Sequence, residues 1–251
     1  MIWKFLDTGF NTGMFNMGFD MELVQNFSEM PVLRFYRWEP YCISLGANQD
    51  FDSIDKQKTT ADGLDIVKRP TGGRAILHAE ELTYSVIHSI SNEQTPKKIY
   101  REINLALKNG LEIYNPTLRK VELEHAQPHF PSFYKDAKST LCFAVSAMNE
   151  LNYNGKKVVG SAQRKIGNLV LQHGSILCGS FHKKVVDYLN LDSIKVDEIK
   201  EEIDQTTTEL ETILDEKTDY RILIQCIKEG FENHFNITFE DEIFSETNIL
   251  S

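Results

Sequence analysis

No apolar run in the sequence approaches the ~18 to 20 residues needed to cross a bilayer, and charged residues make up 25% of it, so a membrane span is not expected. Basic residues are in short supply. The 27 Lys and Arg stand against 37 Asp and Glu, a net charge of −10, and a nonspecific grip on nucleic acid rests on many Lys and Arg contacts to phosphates. Nucleic acid is therefore not an expected partner. Cysteine is scarce: Cys42, Cys142, Cys178 and Cys226 lie far apart with no Cys-x-x-Cys pair, which argues against a zinc site, any other metal cluster and a disulfide framework. Neither the Gly-x-x-x-x-Gly-Lys-Ser/Thr loop nor a Gly-x-Gly-x-x-Gly loop occurs, so no motif supports nucleotide binding. The start, Met1-Ile2-Trp3-Lys4-Phe5-Leu6-Asp7, carries an acid where a signal peptide needs its apolar stretch, and a cytoplasmic protein is expected. Repeats and low-complexity linkers are also missing.

What is present is enough apolar sequence, 41% of 251 residues, for one large domain or a domain with a small appendage. Met14, Met17, Met21 and Val24 repeat at helical spacing and predict a helix over 13–26 with one buried stripe. Val32 to Trp38 and Cys42 to Leu45 read as strands separated by Pro40. Thr95-Pro96 opens a second helix carrying Ile99, Ile103, Ala106, Gly110 and Ile113. Asn154-Gly155 and Gly167-Asn168 each sit between β-prone runs, so 148–178 reads as a three-stranded meander. A third helix follows Thr218-Asp219, and the acidic stretch 191–216 separates it from the meander. Consecutive hairpins without regular βαβ alternation predict an α+β fold, a mixed β-sheet flanked by helices. Residues 1–190 are expected to form the main domain and 191–251 a C-terminal helical extension, packed on it or set apart.

Three stretches carry candidate chemistry, and each has a plain alternative. In Lys68-Arg69-Pro70-Thr71-Gly72-Gly73-Arg74-Ala75-Ile76-Leu77-His78 the glycines permit close backbone approach to a ligand and the arginines supply anion donors; a Gly-Gly turn between strands reads equally well. In Lys156-Lys157-Val158-Val159-Gly160-Ser161-Ala162-Gln163-Arg164, strict alternation puts Lys157, Val159 and Ser161 on one face, either solvent or a site. In Leu171-Gln172-His173-Gly174-Ser175, a glycine inside a strand marks a bulge or a ligand approach, and His173 is a core or a site histidine. Cys142, in Ser139-Thr140-Leu141-Cys142-Phe143, is by itself a packing residue before it is a nucleophile.

Taken in this order, these segments resemble the superfamily of lipoate-protein ligases, biotin-protein ligases and lipoyl/octanoyl transferases nearly end to end. Asn16 to Asp20 is similar to its first helix, Leu33 to Gln49 to its Arg-x-Tyr-x-Trp…Ser-Leu-Gly stretch, and Lys68 to His78 to its Gly-rich acyl loop. Lys156 to Arg164 and Gln172 to Ser175 are similar to its catalytic-lysine and His-Gly-Ser strands. Within the superfamily the chain most resembles the octanoyltransferases that use a cysteine. Cys142-Phe143 stands in place of an Arg-Asn-Asp type sequence, Thr71-Gly72-Gly73-Arg74 in place of a triple glycine, and Glu81 to Ser85 follows at the transferase spacing, while Ala144 and Val145 depart from that pattern.

The resemblance implies a ligase-like catalytic domain with Cys142 and Lys157 as catalytic residues. It implies substrate contacts at Arg69, Thr71, Gly72, Gly73, Arg74, His78, Gly160, Ser161, Gln163, His173, Gly174 and Ser175. It further implies an octanoyl thioester on Cys142, with Lys157 favouring the thiolate, an octanoyl-acyl carrier protein donor, and a lipoyl-domain acceptor such as the glycine cleavage H protein or a 2-oxoacid dehydrogenase E2. No cofactor is implied. Ile76, Leu77, Val159 and Leu171 are candidate tunnel walls, and Lys68, Arg69, Arg74, Lys156 and Arg164 a candidate basic patch for acidic partners. An octanoyl/lipoyl amidotransferase between carrier domains, an ATP-dependent lipoate ligase and a noncatalytic binding module are the competing readings.

Overall fold

The computed structural model describes residues 1–124, 150–191 and 193–241. In chain order the elements are β1 (Ile2–Asn11), α1 (Gly13–Gln25), β2 (Val32–Trp38), β3 (Cys42–Leu45), α2 (Lys56–Ala61), β4 (Asp65–Lys68), β5 (Ile76–His78), β6 (Glu81–Ser89), α3 (Pro96–Tyr114), β7 (Val121–Leu123), β8 (Leu151–Tyr153), β9 (Lys156–Ile166), β10 (Leu169–Leu177), α4 (Ser193–Thr206), α5 (Leu210–Leu214), α6 (Tyr220–Phe235) and β11 (Thr238–Asp241). Eight strands form one sheet in the order β11-β1-β2-β6-β10-β9-β8-β7, and β4-β3-β5 form a smaller one. β1 runs parallel to both neighbours, whereas β2, β6, β10 and β9 are antiparallel. The α+β class with a mixed sheet flanked by helices holds.

Local chemistry sets the boundaries. Thr12, Thr95 and Asp219 cap α1, α3 and α6, their side-chain oxygens accepting backbone N–H groups of the first turn, each cap contributing roughly 1 kcal/mol. At the β8–β9 hairpin Asn154 and Gly155 take φ of 50° and 78°, the left-handed pair that a tight hairpin requires. The meander expected over 148–178 is β8, β9 and β10.

On one face of the large sheet α3 and α6 bury Ile99, Ile103, Leu107, Leu223, Ile227 and Phe231 against Leu33, Leu82, Val86 and Val170, each side chain contributing roughly 1.5–3 kcal/mol before entropy. Leu210 of α5 and Ile237, just before β11, share this core, and β11 extends the sheet through β1. On the other face lies α1, beside the small sheet, whose own core is sealed by the 3-10 segment Ser180–Tyr188 and by α4. α1 is buried along only part of the stripe that its methionines predict, at Met17 and Val24. Met14 is 80% exposed, and the face that turns inward carries Asn16 and Asp20, both fully buried. Ile113 of α3 is likewise partly exposed. Among the described residues no helix is long and apolar enough to cross a membrane.

Candidate active site

Between the large sheet and the small one lies a pocket with about 440 Å³ of empty volume including its open mouth. β2 contributes Tyr36 and Trp38, β5 Ile76 and His78, and α1 Met17. β9 contributes Lys157, Gly160, Ser161 and Ala162, and β10 His173, Gly174 and Ser175. Gly160 pairs with Ser175, Ser161 with Gly174 and Ala162 with His173, so the lysine strand and the His-Gly-Ser strand form one continuous floor.

Lys157 reaches this pocket through a departure from alternation. Leu151 faces Val159 but the next residue, Asn152, faces Lys157, so Val158 is an extra residue in β9. The bulge puts Val158 and Val159 together into the helix-side core and turns Lys157 to the opposite face, with Gly160 and Ala162. The expectation that Lys157, Val159 and Ser161 share a face fails for this reason. Ser161 instead directs its hydroxyl at Tyr84 (2.7 Å) and Asn104 of α3 (3.1 Å). Lys157 is 1% exposed, and its Nζ lies 2.9 Å from Glu150 Oε2.

Two buried histidines line the pocket, each fixed by a carboxylate. His78 Nδ1 lies 2.8 Å from Glu81 Oε1, and its Nε2 lies 2.7 Å from Ser44 Oγ. Its ring stacks on Trp38 with centroids 4.1 Å apart. Glu81 Oε1 also accepts from Thr83 (2.6 Å) and Ser175 (2.7 Å). Burial would raise the Glu81 carboxyl, but His78 and these hydroxyls outweigh it and hold it below the usual range. His173 Nδ1 lies 3.3 Å from Asp20 Oδ2, and its Nε2 lies 2.6 Å from Thr71 Oγ1. Burial pushes the His173 imidazolium down despite Asp20, so the neutral ring accepts the Thr71 hydroxyl. Burial alone would raise Asp20, yet Arg34 at 2.7 Å and His173 hold its carboxyl low.

The Gly-rich segment closes the small-sheet side. Arg69 is buried and donates to the carbonyls of Ser44 (2.9 Å), Gly72 (3.0 Å) and Arg74 (2.7 Å), so this guanidinium shapes the loop as well as lining the pocket. Gly73 has φ of 98°, a conformation that disfavours any side chain. Its carbonyl lies where a Cβ on Gly46 would stand. Gly174 is needed for close approach, since a Cβ there would lie 2.3 Å from the Gly160 carbonyl oxygen and 2.8 Å from Tyr84 Cε1.

Of the residues named from sequence, Arg69, His78, Lys157, Gly160, Ser161, His173, Gly174 and Ser175 line one pocket, and Thr71 touches it through His173. Gly72, Gly73 and Arg74 belong to the loop without lining the pocket, and Gln163 pairs with Gln172 on the α3 side. Cys142 lies outside the described residues. Of the candidate wall residues only Ile76 lines the pocket; Leu77, Val159 and Leu171 fill three separate cores. Among the candidate basic patch, Arg164 ties β9 to the Pro70 carbonyl (2.8 Å) and Lys156 binds the Asp204 carbonyl (2.7 Å). The residues missed from sequence are Met17, Tyr36, Trp38, Thr83 and Glu150. Arg34, Tyr36 and Trp38 alternate on β2, and that period-two pattern was the available signal.

The other described cysteines are poor nucleophiles. Burial drives Cys42 well above the ordinary thiol value, Cys178 to about 12, and Cys226 upward with help from Glu229. Among the described residues no group of three or more His, Cys, Asp or Glu side chains is placed to hold a metal ion.

Residues 12–232 match the model of the lipoyl protein ligase A/B catalytic domain. The octanoyltransferase LipM of Anoxybacillus flavithermus is 35% identical, over 97% of this chain and 92% of that protein. The Bacillus subtilis octanoyltransferase LipM is 33% identical over 95% and 88%. In structure, a chain from the archaeal lipoylation system of Thermoplasma acidophilum, a bipartite lipoate protein ligase and its E2 lipoyl domain, superposes with a TM-score of 0.77 at 20% identity, over 98% of this chain and 88% of that one. On the match of pocket-bearing segments and of nearly the whole length, the chain belongs to the lipoyl protein ligase A/B catalytic domain family.

Proposed function

We propose that this chain is a cytoplasmic octanoyltransferase of lipoate biosynthesis that takes octanoyl from acyl carrier protein onto Cys142 and passes it to a lysine of a lipoyl-domain protein. The observation that carries this reading is the buried ammonium of Lys157 in a pocket walled by Met17, Tyr36, Trp38 and Ile76. An apolar chain gains ~0.8 kcal/mol per buried CH₂, so such walls suit an eight-carbon tail, and an ammonium inside them suits a thioester carbonyl whose oxygen becomes negative during attack. The nucleophile is assigned to Cys142 because Cys42, Cys178 and Cys226 are all held as thiols and attack requires a thiolate.

The donor is already activated, so both steps are acyl exchanges without ATP. In the first, the Cys142 sulfur attacks the thioester carbonyl, the carrier sulfur leaves, and the Cys142 proton ends on the carrier thiol. In the second, a neutral acceptor amine attacks, the Cys142 sulfur leaves, and the amine's surplus proton returns to that thiolate. The use of Arg69 on three loop carbonyls supports this reading over the ATP-dependent ligase, whose triphosphate calls for donors of that kind.

Intact mass spectrometry after mixing with octanoyl-acyl carrier protein tests the proposal. A gain of one octanoyl group, removed by hydroxylamine and mapped to Cys142, is expected, and Cys142→Ser is expected to lose it. Lipoyl-domain modification by Cys142→Ser that needs ATP and free lipoate would install the ligase reading instead. Octanoyl loading from an acylated lipoyl domain but not from acyl carrier protein would install the amidotransferase.

A further inference from the structure

We infer that Glu150 is a positioning residue of the reaction, acting through Lys157; the inference rests on the reading of Lys157 as the catalytic amine. Glu150 immediately precedes β8, where its carbonyl accepts the Glu124 N–H at 2.8 Å, so its backbone is anchored at the end of β7. Its side chain is buried and lines the acyl pocket together with Lys157. One carboxylate oxygen lies 2.9 Å from Lys157 Nζ, and the other accepts the backbone N–H of Ser161 at 3.4 Å. The carboxylate is thereby tied to two points of β9, on either side of Gly160.

A buried ion pair is a poor device for stability, because desolvation offsets the attraction and apolar replacements often serve as well. In a pocket with apolar walls, this pair is explained by what it does to the ammonium. An ammonium carries three N–H donors on a flexible stem; committing one of them to Glu150 fixes the direction of the rest. Among the described residues the other ionisable groups lining the pocket are Tyr36, Arg69, His78 and His173, with Tyr84 on the far side of the sheet. Arg69 also lines the pocket and donates to loop carbonyls. Glu150 thus holds Lys157 aimed at the thioester carbonyl.

The test compares Glu150→Gln, which keeps size and hydrogen-bonding capacity but removes charge, with Glu150→Asp, which keeps charge. Circular dichroism establishes folding. Acetic anhydride labelling at mildly alkaline pH, read by mass spectrometry, reports the neutral amine of Lys157. Loss of an opposite charge at this distance moves a titration by about one unit or more, so about tenfold faster labelling of Lys157 is expected in Glu150→Gln, with Glu150→Asp near wild type. With octanoyl-acyl carrier protein as donor, kcat is expected to fall about tenfold or more in Glu150→Gln while KM stays within about twofold, and Glu150→Asp is expected to recover most of it. Unchanged labelling of Lys157 in folded Glu150→Gln overturns the inference, whatever happens to turnover, and so does an unchanged kcat. If Glu150→Gln does not fold, Glu150→Met, a neutral side chain of similar length, takes its place and is read in the same way. Should the wild-type enzyme transfer no octanoyl group, the functional reading falls while the labelling result still decides whether Glu150 governs Lys157.

Discussion

Asp20→Asn is the perturbation that the structure makes most quantitative. The Asp20 carboxylate is fully buried and takes Arg34 and Ser85 on one oxygen, each at 2.7 Å, and Tyr36 (3.2 Å) and His173 (3.3 Å) on the other. It is the counter-charge to an equally buried Arg34, whose remaining donors go to Thr8 and Asn16. Removing one partner of such a pair costs about 3–5 kcal/mol. For a chain of this size each kcal/mol shifts Tm by roughly 2–4 °C, so a fall of about 6–20 °C is expected in a thermal melt. Asp20 is held below the ordinary carboxylate range, so its stabilisation is present above that range and lost as pH falls through the folded value. The melting deficit of Asp20→Asn should accordingly be largest near neutrality and shrink in acid. Asp20→Leu combined with Arg34→Met should regain much of the Tm, because no charge is left uncompensated, yet should not regain transfer, because His173 loses the acceptor that fixes its ring against Thr71. A Tm for Asp20→Asn within about 2 °C of wild type, or full transfer by the double variant, would refute the reasoning.

Gly174→Ala should lower Tm and transfer together, since the new Cβ would meet the Gly160 carbonyl at 2.3 Å and overpacking costs about 1–3 kcal/mol; a normal melt would show that β9 and β10 separate freely. Burial holds the imidazolium forms of His88, His173 and His182 down, so the unfolded chain binds protons below about pH 6.5 that the fold refuses. Stability should therefore fall with acidification from that point, by up to about 1.4 kcal/mol per pH unit for fully buried His173; urea titrations showing no loss between neutrality and mild acid would contradict this. Met17→Trp should narrow the pocket and shift donor preference from octanoyl toward shorter acyl chains, read as a change in the ratio of kcat/KM values of about tenfold; an unchanged ratio would place Met17 away from the acyl chain.

Much of this protein was legible in the sequence where the governing physics is local. The caps Thr95 and Asp219 and the Asn154-Gly155 turn act within a few residues of their own positions, so two helix starts and the meander were readable from the sequence. The strands β1, β6 and β11 carried no such punctuation and emerge only through pairing. In α1 the methionine stripe accounts for only part of the inward face, Met17 and Val24, because Arg34 of β2 also draws Asn16 and Asp20 into the interior. Sequence motifs supplied Lys157, His78 and His173 as candidates, but only tertiary structure decided their surroundings. The Val158 bulge depends on register with β8 and turns Lys157 into the pocket. Asp20, Glu81 and Glu150 become partners because strands and helices distant in sequence converge. Alternation along one strand records which residues are apolar; which carboxylate a buried cation meets is fixed by packing between elements, where desolvation makes any unpaired charge costly.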